Sequence, residues 1–145
     1  MVKFERISHM SSDIHKKLDK KGLPKGRDLL ATDVSQGTLG DCYYLAAIAA
    51  LTERPELIHG IFEEALPEKG LYAMKMHFGG REVLVAIDDE FARLHSNFAF
   101  ARSPTSLHCH LWVMLLEKAY AKLHGKVLLQ YLFLRKSGML SCCVL

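Results

Sequence analysis

Cys42 is the residue on which chemistry can turn. It follows the pair Gly40-Asp41 and precedes an apolar, alanine-rich run, within QGTLGDCYYLAAIAALT, and Gln36 lies six residues upstream. A thiol attacks as its thiolate. The first turn of a helix presents unpaired N–H groups and the positive end of the backbone dipole, and both favour that anion. Attack on an acyl group also builds an oxyanion, which needs hydrogen-bond donors aimed at it. The Gln36 side-chain amide and the Cys42 backbone N–H are donors of the right type. Gly37 and Gly40 allow the loop between them to fold back toward the thiol. The third requirement is a base, usually histidine, oriented by a further polar group. A lone cysteine beside an apolar helix is ordinarily a small core residue, so the segment has to be judged with its surroundings.

The elements that must position these residues can be read from periodicity. A helix is expected to start at Asp41 or Cys42 and run to about Thr52. Leu45, Ile48, Ala49 and Leu51 put apolar groups on more than one of its faces, which predicts a central, buried helix. Pro55 ends it or opens a second short helix over Glu56–Phe62. The period then changes to two. Tyr72, Met74, Met76 and Phe78 alternate with Ala73, Lys75 and His77, Gly79-Gly80 marks a tight turn, and Val83, Val85 and Ile87 share one face of the returning strand. Asp88-Asp89 ends that strand. Phe98–Phe100 is a candidate third strand. A last helix is expected over His110–His124, with Trp112, Leu115, Leu116, Ala119, Tyr120 and Leu123 on one stripe and Gly125 as its C-cap. Before all of these, residues 11–21 suggest a short helix capped by Ser11 or Ser12 and stopped by Gly22 and Pro24.

Composition bounds the function classes. The chain has 145 residues, half of them hydrophobic and 24% charged, which suits one globular domain with a real core. A net charge of +3 is too small to imply a nucleic-acid partner. The cluster Lys16, Lys17, Lys20 and Lys21 reads as a solvated face. The segment MVKFERISHM lacks the apolar stretch of a secretory signal, Val2 breaks the myristoylation pattern, and no apolar run reaches membrane-spanning length. Cys42, Cys109, Cys142 and Cys143 show no zinc-ligand spacing and are expected to be reduced thiols in the cytoplasm.

The cysteine segment resembles that of the calpain family of cysteine proteases, close to QGxLGDCWxLAAxAxL. GLYAMKMHFGGREVLVAIDDE is similar to the family's hairpin ending in paired aspartates, and LWVMLLEKAYAKLHG to its EFWSALLEKAYAKxxG helix. Together these cover roughly Asp33 to Gly125, in family order. The resemblance implies an α+β fold, the mostly helical, cysteine-bearing half of a papain-like core with a small antiparallel hairpin. It implies a lead-in over 1–30, the catalytic half over 31–125 and a divergent apolar tail over 126–145. It also implies that Cys42 is the nucleophile, that Gln36 serves the oxyanion, and that proteins are the substrates. Asp33 matches an aspartate that helps bind calcium in calcium-dependent members, and Asp88 and Asp89 match the paired aspartates, with a structural role.

Four departures qualify the match. The tryptophan expected after the nucleophile is Tyr43, and an aromatic of either kind can wall the site. The family's calcium-binding glutamate is replaced by His110, a poor ligand for a cation that wants oxygen. The arginine expected two residues before Asp33 is Ala31, so calcium binding is not expected to survive intact. Finally, the family's histidine and asparagine come from a second half of the core, whereas KVLLQYLFLRKS follows Gly125 and no histidine follows His124. His95, His108, His110 and His124 are each expected to be surface or packing residues. The expectation is therefore a protease segment, incomplete and inactive alone, partnered by a chain or domain that supplies the histidine and asparagine. The alternative is a non-catalytic, calpain-like binding or regulatory module. The ending Cys142-Cys143-Val144-Leu145 fits a prenylation pattern without a polybasic run, and membrane attachment would depend on it.

Overall fold

The computed structural model describes residues 2–7, 15–21, 23–25, 28–35, 42–94, 97–98 and 107–124. Within them lie helices α1 (Cys42–Leu51), α2 (Pro55–Ile61) and α3 (Leu107–Leu123). The strands are β1 (Val2–Arg6), β2 (Phe62–Leu66), β3 (Leu71–Phe78), β4 (Arg81–Asp88), β5 (Glu90–Leu94) and β6 (Asn97–Phe98). They form two antiparallel sheets, ordered β2-β3-β4 and β1-β5-β6.

The expected hairpin is β3–β4, in register from Leu71↔Asp88 to Phe78↔Arg81. Gly79 and Gly80 have φ of +58° and +75°. Two successive left-handed residues match the right-handed twist of the strands they join, which explains the Gly-Gly pair. Tyr72, Met74, Val85 and Ile87 form the buried side of this hairpin. At the start of β3, Gly70 has φ +63°, and a Cβ there would lie 2.3 Å from the Asp89 carboxylate. Its carbonyl accepts the Asp89 N–H at 3.0 Å, so glycine is required where the chain passes this close to a buried acid.

The mixed helix-and-sheet class is as expected, but the balance differs. Strand and helix claim similar shares of the described residues, where a mostly helical unit with one hairpin was expected. β1 reads Val2-Lys3-Phe4-Glu5-Arg6, a real alternation, but it is short and its partner is β5, from Val2↔Leu94 to Arg6↔Glu90. Such a strand is unstable without that distant partner. Phe62, expected to end the second helix, turns extended (φ −79°, ψ 108°) and pairs with Met74. The β3 ladder overrides local helix propensity there. The candidate strand at Phe98–Phe100 appears as β6 up to Phe98, and residues 99–100 lie outside the described residues.

The helix expected over 11–21 is also corrected. Residues 11–14 lie outside the described residues. His15–Lys17 form a single 3-10 turn, and Leu18 then bridges Pro24 antiparallel. Asp19 Oδ1 accepts the N–H groups of Lys21 and Leu23 at 2.8 and 2.9 Å. An aspartate that offers the backbone a local acceptor competes with helix propagation.

The core gathers around α3. Seven consecutive residues, Leu111 to Glu117, are buried, with Trp112 fully so. Against them pack Tyr72, Met74, Val85 and Ile87 of the hairpin, Ile58 of α2, Phe91 of β5, and Ile7, Leu18, Leu23 and Leu29 from the first thirty residues. Lys118 ties the same helix to the second sheet. Its ammonium donates to the Asp88 carboxylate, to the Asp88 carbonyl at 3.1 Å and to the Glu90 carbonyl at 2.6 Å, and lies 5.0 Å above the Phe91 ring. Asp89, the other member of the pair, is buried. It carries the Ile7 N–H on its carbonyl at 3.0 Å and approaches Arg6 at 3.5 Å. Both aspartates thus act as braces between strands and helix.

Candidate functional site

Cys42 is the first residue of α1, as its position after Gly40-Asp41 requires, and it is exposed. Successive residues of an α-helix turn by about 100°. On that wheel Tyr44, Leu45, Ile48 and Leu51 share one side, and Cys42, Tyr43, Ala46, Ala47 and Ala50 share the other. The first set is buried or half-buried and the second is exposed. The expectation of a helix buried all round is corrected accordingly. Among the described residues, α1 is covered on one side alone. Its open face is nearly all alanine, with the thiol and the Tyr43 ring, 62% exposed, at the N-terminal end.

The covered face is fixed by more than apolar contact. Tyr44 Oη donates to the Leu116 carbonyl of α3 at 3.1 Å, and its ring stacks on Tyr120 with centroids 4.1 Å apart. This contact packs α1 against the Trp112 helix. Tyr120 in turn stacks on His124 at 4.0 Å, and His124 meets Phe78 of the hairpin edge-on at 5.4 Å. Sequence reasoning missed Tyr44. The available signal was an aromatic in the first turn, set about 200° round the helix from the cysteine.

Gln36, Gly37, Leu39, Gly40 and Asp41 lie outside the described residues, so the oxyanion donors expected from the loop have no geometry here. Of the histidines, His59 and His77 are exposed, at α2 and at the tip of the hairpin. His124 Nδ1 lies 2.9 Å from the Tyr120 carbonyl. It stands on the Tyr44 side of α1, across the helix from the thiol. His95 and the side chains of His108 and His110 lie outside the described residues.

Asp33 ends the 3-10 turn Ala31–Asp33, next to α1, and is buried. Its Oδ2 accepts the Leu30 N–H at 3.1 Å, folding the carboxylate back onto its own turn. Among the described residues, no three histidine, cysteine, aspartate or glutamate side chains converge as a metal site.

Partial burial pushes the Asp88 carboxyl up, but the Lys118 ammonium and the Glu90 N–H outweigh it and hold the group below its ordinary range. Burial, and then the Asp89 carboxylate, push the Tyr72 phenol up. A shallow groove of about 630 Å³ runs between Lys20-Lys21 and β2, lined by Glu63, Glu64, Leu66 and Lys69 among others. Its charges are mixed and it holds no nucleophile.

Residues 9–133 match the family model described as calpain family cysteine protease. The calpain-type cysteine protease ADL1 of Oryza sativa subsp. japonica is 42% identical over 96 residues, 66% of this chain and 4% of that protein. Calpain-12 of Mus musculus is 41% identical over 102 residues, 68% of this chain and 14% of its own length. Calpain-8 of Homo sapiens is 41% identical over 98 residues, covering 65% of this chain and 14% of its own. The chain therefore spans a small fraction of each of these relatives. The chain belongs to the calpain family of cysteine proteases.

Proposed function

We propose that this chain is the nucleophile-bearing half of a papain-like, calpain-type cysteine endopeptidase core, acting on proteins in the cytoplasm. The observation that carries the reading is the placement of Cys42. It opens α1 on the face that the described core leaves uncovered. The alanines beside it permit close approach of another body. In this reading the opposite wall of the cleft, with the histidine and asparagine, comes from a second half of the core in the same protein or in a separate chain, and packs beside that face. Calcium has no assigned step in this reading, because His110 stands where the family has its calcium-binding glutamate.

The chemistry follows from the residue types. The histidine of the second half takes the thiol proton. The thiolate sulfur forms a bond to the peptide carbonyl carbon, and the carbonyl electrons move to oxygen, where the Cys42 N–H and Gln36 amide receive them. Collapse breaks the C–N bond, and the histidine returns its proton to the departing amine. Water, deprotonated by the same histidine, then cleaves the thioester and frees Cys42. Tyr43 walls the cleft next to the sulfur.

Two measurements test this. Iodoacetamide should alkylate Cys42 faster than free cysteine at neutral pH, with the fast phase missing from Cys42→Ala. Joined to or mixed with a histidine- and asparagine-bearing calpain half, the chain should cleave a peptide substrate. Cys42→Ala should lower that rate by about four or more orders of magnitude. Cleavage surviving in Cys42→Ala would sink the assignment. A second reading, a non-catalytic binding module, uses the same open face to hold a partner. It is favoured by His124, which stands on the Tyr44 side of α1, across from the thiol, and gains support if Cys42 reacts no faster than free cysteine and no cleavage appears.

A further inference from the structure

We infer that Tyr44 is a positioning residue for Cys42, holding the first turn of α1 in the arrangement that makes the thiol reactive; this rests on the reading of Cys42 as the nucleophile. The first N–H groups of any helix have no partner within it, and those of Cys42, Tyr43 and Tyr44 belong to this set. They favour an anionic sulfur only while the first turn keeps its shape. Helix ends fray unless something holds them.

Tyr44 supplies that hold from behind. It lies in the first turn, two residues after the thiol and on the opposite side of the helix. Its hydroxyl is bonded to the Leu116 carbonyl in the middle of α3, the most buried helix. Leu116 lies one turn before Tyr120, so the hydrogen bond and the ring stack grip α3 at adjacent turns. Tyr120 is backed by His124, and His124 by Phe78. Two aromatic rings and the ring edge of a third therefore stand behind Tyr44. The buried apolar anchors of α1, Leu45 and Ile48, lie farther along the helix. They secure its body, while Tyr44 secures its start.

The test compares Tyr44→Phe, which keeps the ring and loses the hydroxyl, with Tyr120→Leu, which keeps the hydroxyl and loses the stack. Cys42 alkylation by iodoacetamide is followed from neutral to strongly alkaline pH, with Cys42→Ala subtracting the other thiols. Loss of one half-buried tyrosine–carbonyl bond should slow the neutral-pH rate, relative to the alkaline plateau, by about fivefold. Tyr120→Leu should slow it similarly. A merely structural role would lower the melting temperature and leave that ratio unchanged, and an unchanged ratio in a folded Tyr44→Phe chain overturns the proposal.

Amide hydrogen exchange on the unaltered chain gives a reading that needs no variant. The N–H groups of Ala46, Ala47 and Ile48 bond to first-turn carbonyls. A clamped start predicts protection at least equal to that of Ala49, Ala50 and Leu51, and weaker protection would overturn the clamp. Should wild-type Cys42 prove no more reactive than free cysteine, the nucleophile reading fails by itself. The exchange pattern then decides whether Tyr44 holds the helix start.

Discussion

Helices α1 and α3 invert the usual relation between apolar sequence and burial. α1, CYYLAAIAAL, carries no charge at all, yet Cys42, Tyr43, Ala46, Ala47 and Ala50 are exposed. α3 contains Glu117, Lys118 and Lys122, yet Leu111 to Glu117 are all buried. The difference lies in what each helix is for. α3 is the spine on which both sheets close, and its cations are consumed as braces, Lys118 on Asp88 and Glu90 and Lys122 on the Ala86 carbonyl. Among the described residues α1 is covered on one side, and its other side carries alanines beside Cys42 and Tyr43. A polar outer face would suit a helix meant to stay in water. An alanine face beside a thiol suits a surface meant to be covered.

The sharpest way to break this contrast is to truncate each helix on the face that matters. Trp112→Ala should destabilise the chain by about 3–5 kcal/mol in urea unfolding, since it empties a fully buried site. Ala47→Ser, on the open face of α1, should stay within about 0.5 kcal/mol of wild type. Equal effects would mean that α1 is buried in solution and the contrast false.

Lys118→Met comes next. It removes a cation that donates to one carboxylate and two carbonyls while keeping most of the stem, and should cost about 1.5–3 kcal/mol. A smaller loss would move the brace from Lys118 to the apolar contacts around it.

The smallest effect is a pH dependence. Asp88 is held below its ordinary value of 3.8 in the folded chain. A carboxylate with a depressed folded pKa binds its proton more readily when unfolded, so its stabilising effect is complete above 3.8 and is lost as pH falls through the lower folded value. Asp88→Asn should therefore flatten the acid limb of a plot of urea midpoint against pH while leaving its slope near neutrality unchanged. An unaltered acid limb would show that the brace does not depend on charge.

Much of this was legible from residues. The start of α1 followed from Gly40-Asp41-Cys42, the hairpin from alternation around Gly79-Gly80, and α3 from its stripe. Each is a local signal with its stop and start in the same segment. What escaped had its cause elsewhere in the chain. β1 and β5 stabilise one another across the length of the unit, β2 exists because β3 lies beside it, and the supposed helix before Leu18 yields to the Asp19 side chain and the Leu18–Pro24 bridge. Of the site, Cys42 and its exposure have a place in the structure, and Asp33 has an ordinary backbone partner. Gln36 lies outside the described residues and stands on family resemblance.

The amino-acid sequence alone determined the lineage of this chain, because it resides in short strings whose chemistry is set by residue type and spacing. It could not decide which side of α1 faces water, since a helix of alanines, tyrosines and leucines offers no polar face to mark it. Tertiary packing made that choice by bonding Tyr44 to Leu116 and stacking it on Tyr120, which turned Cys42 outward.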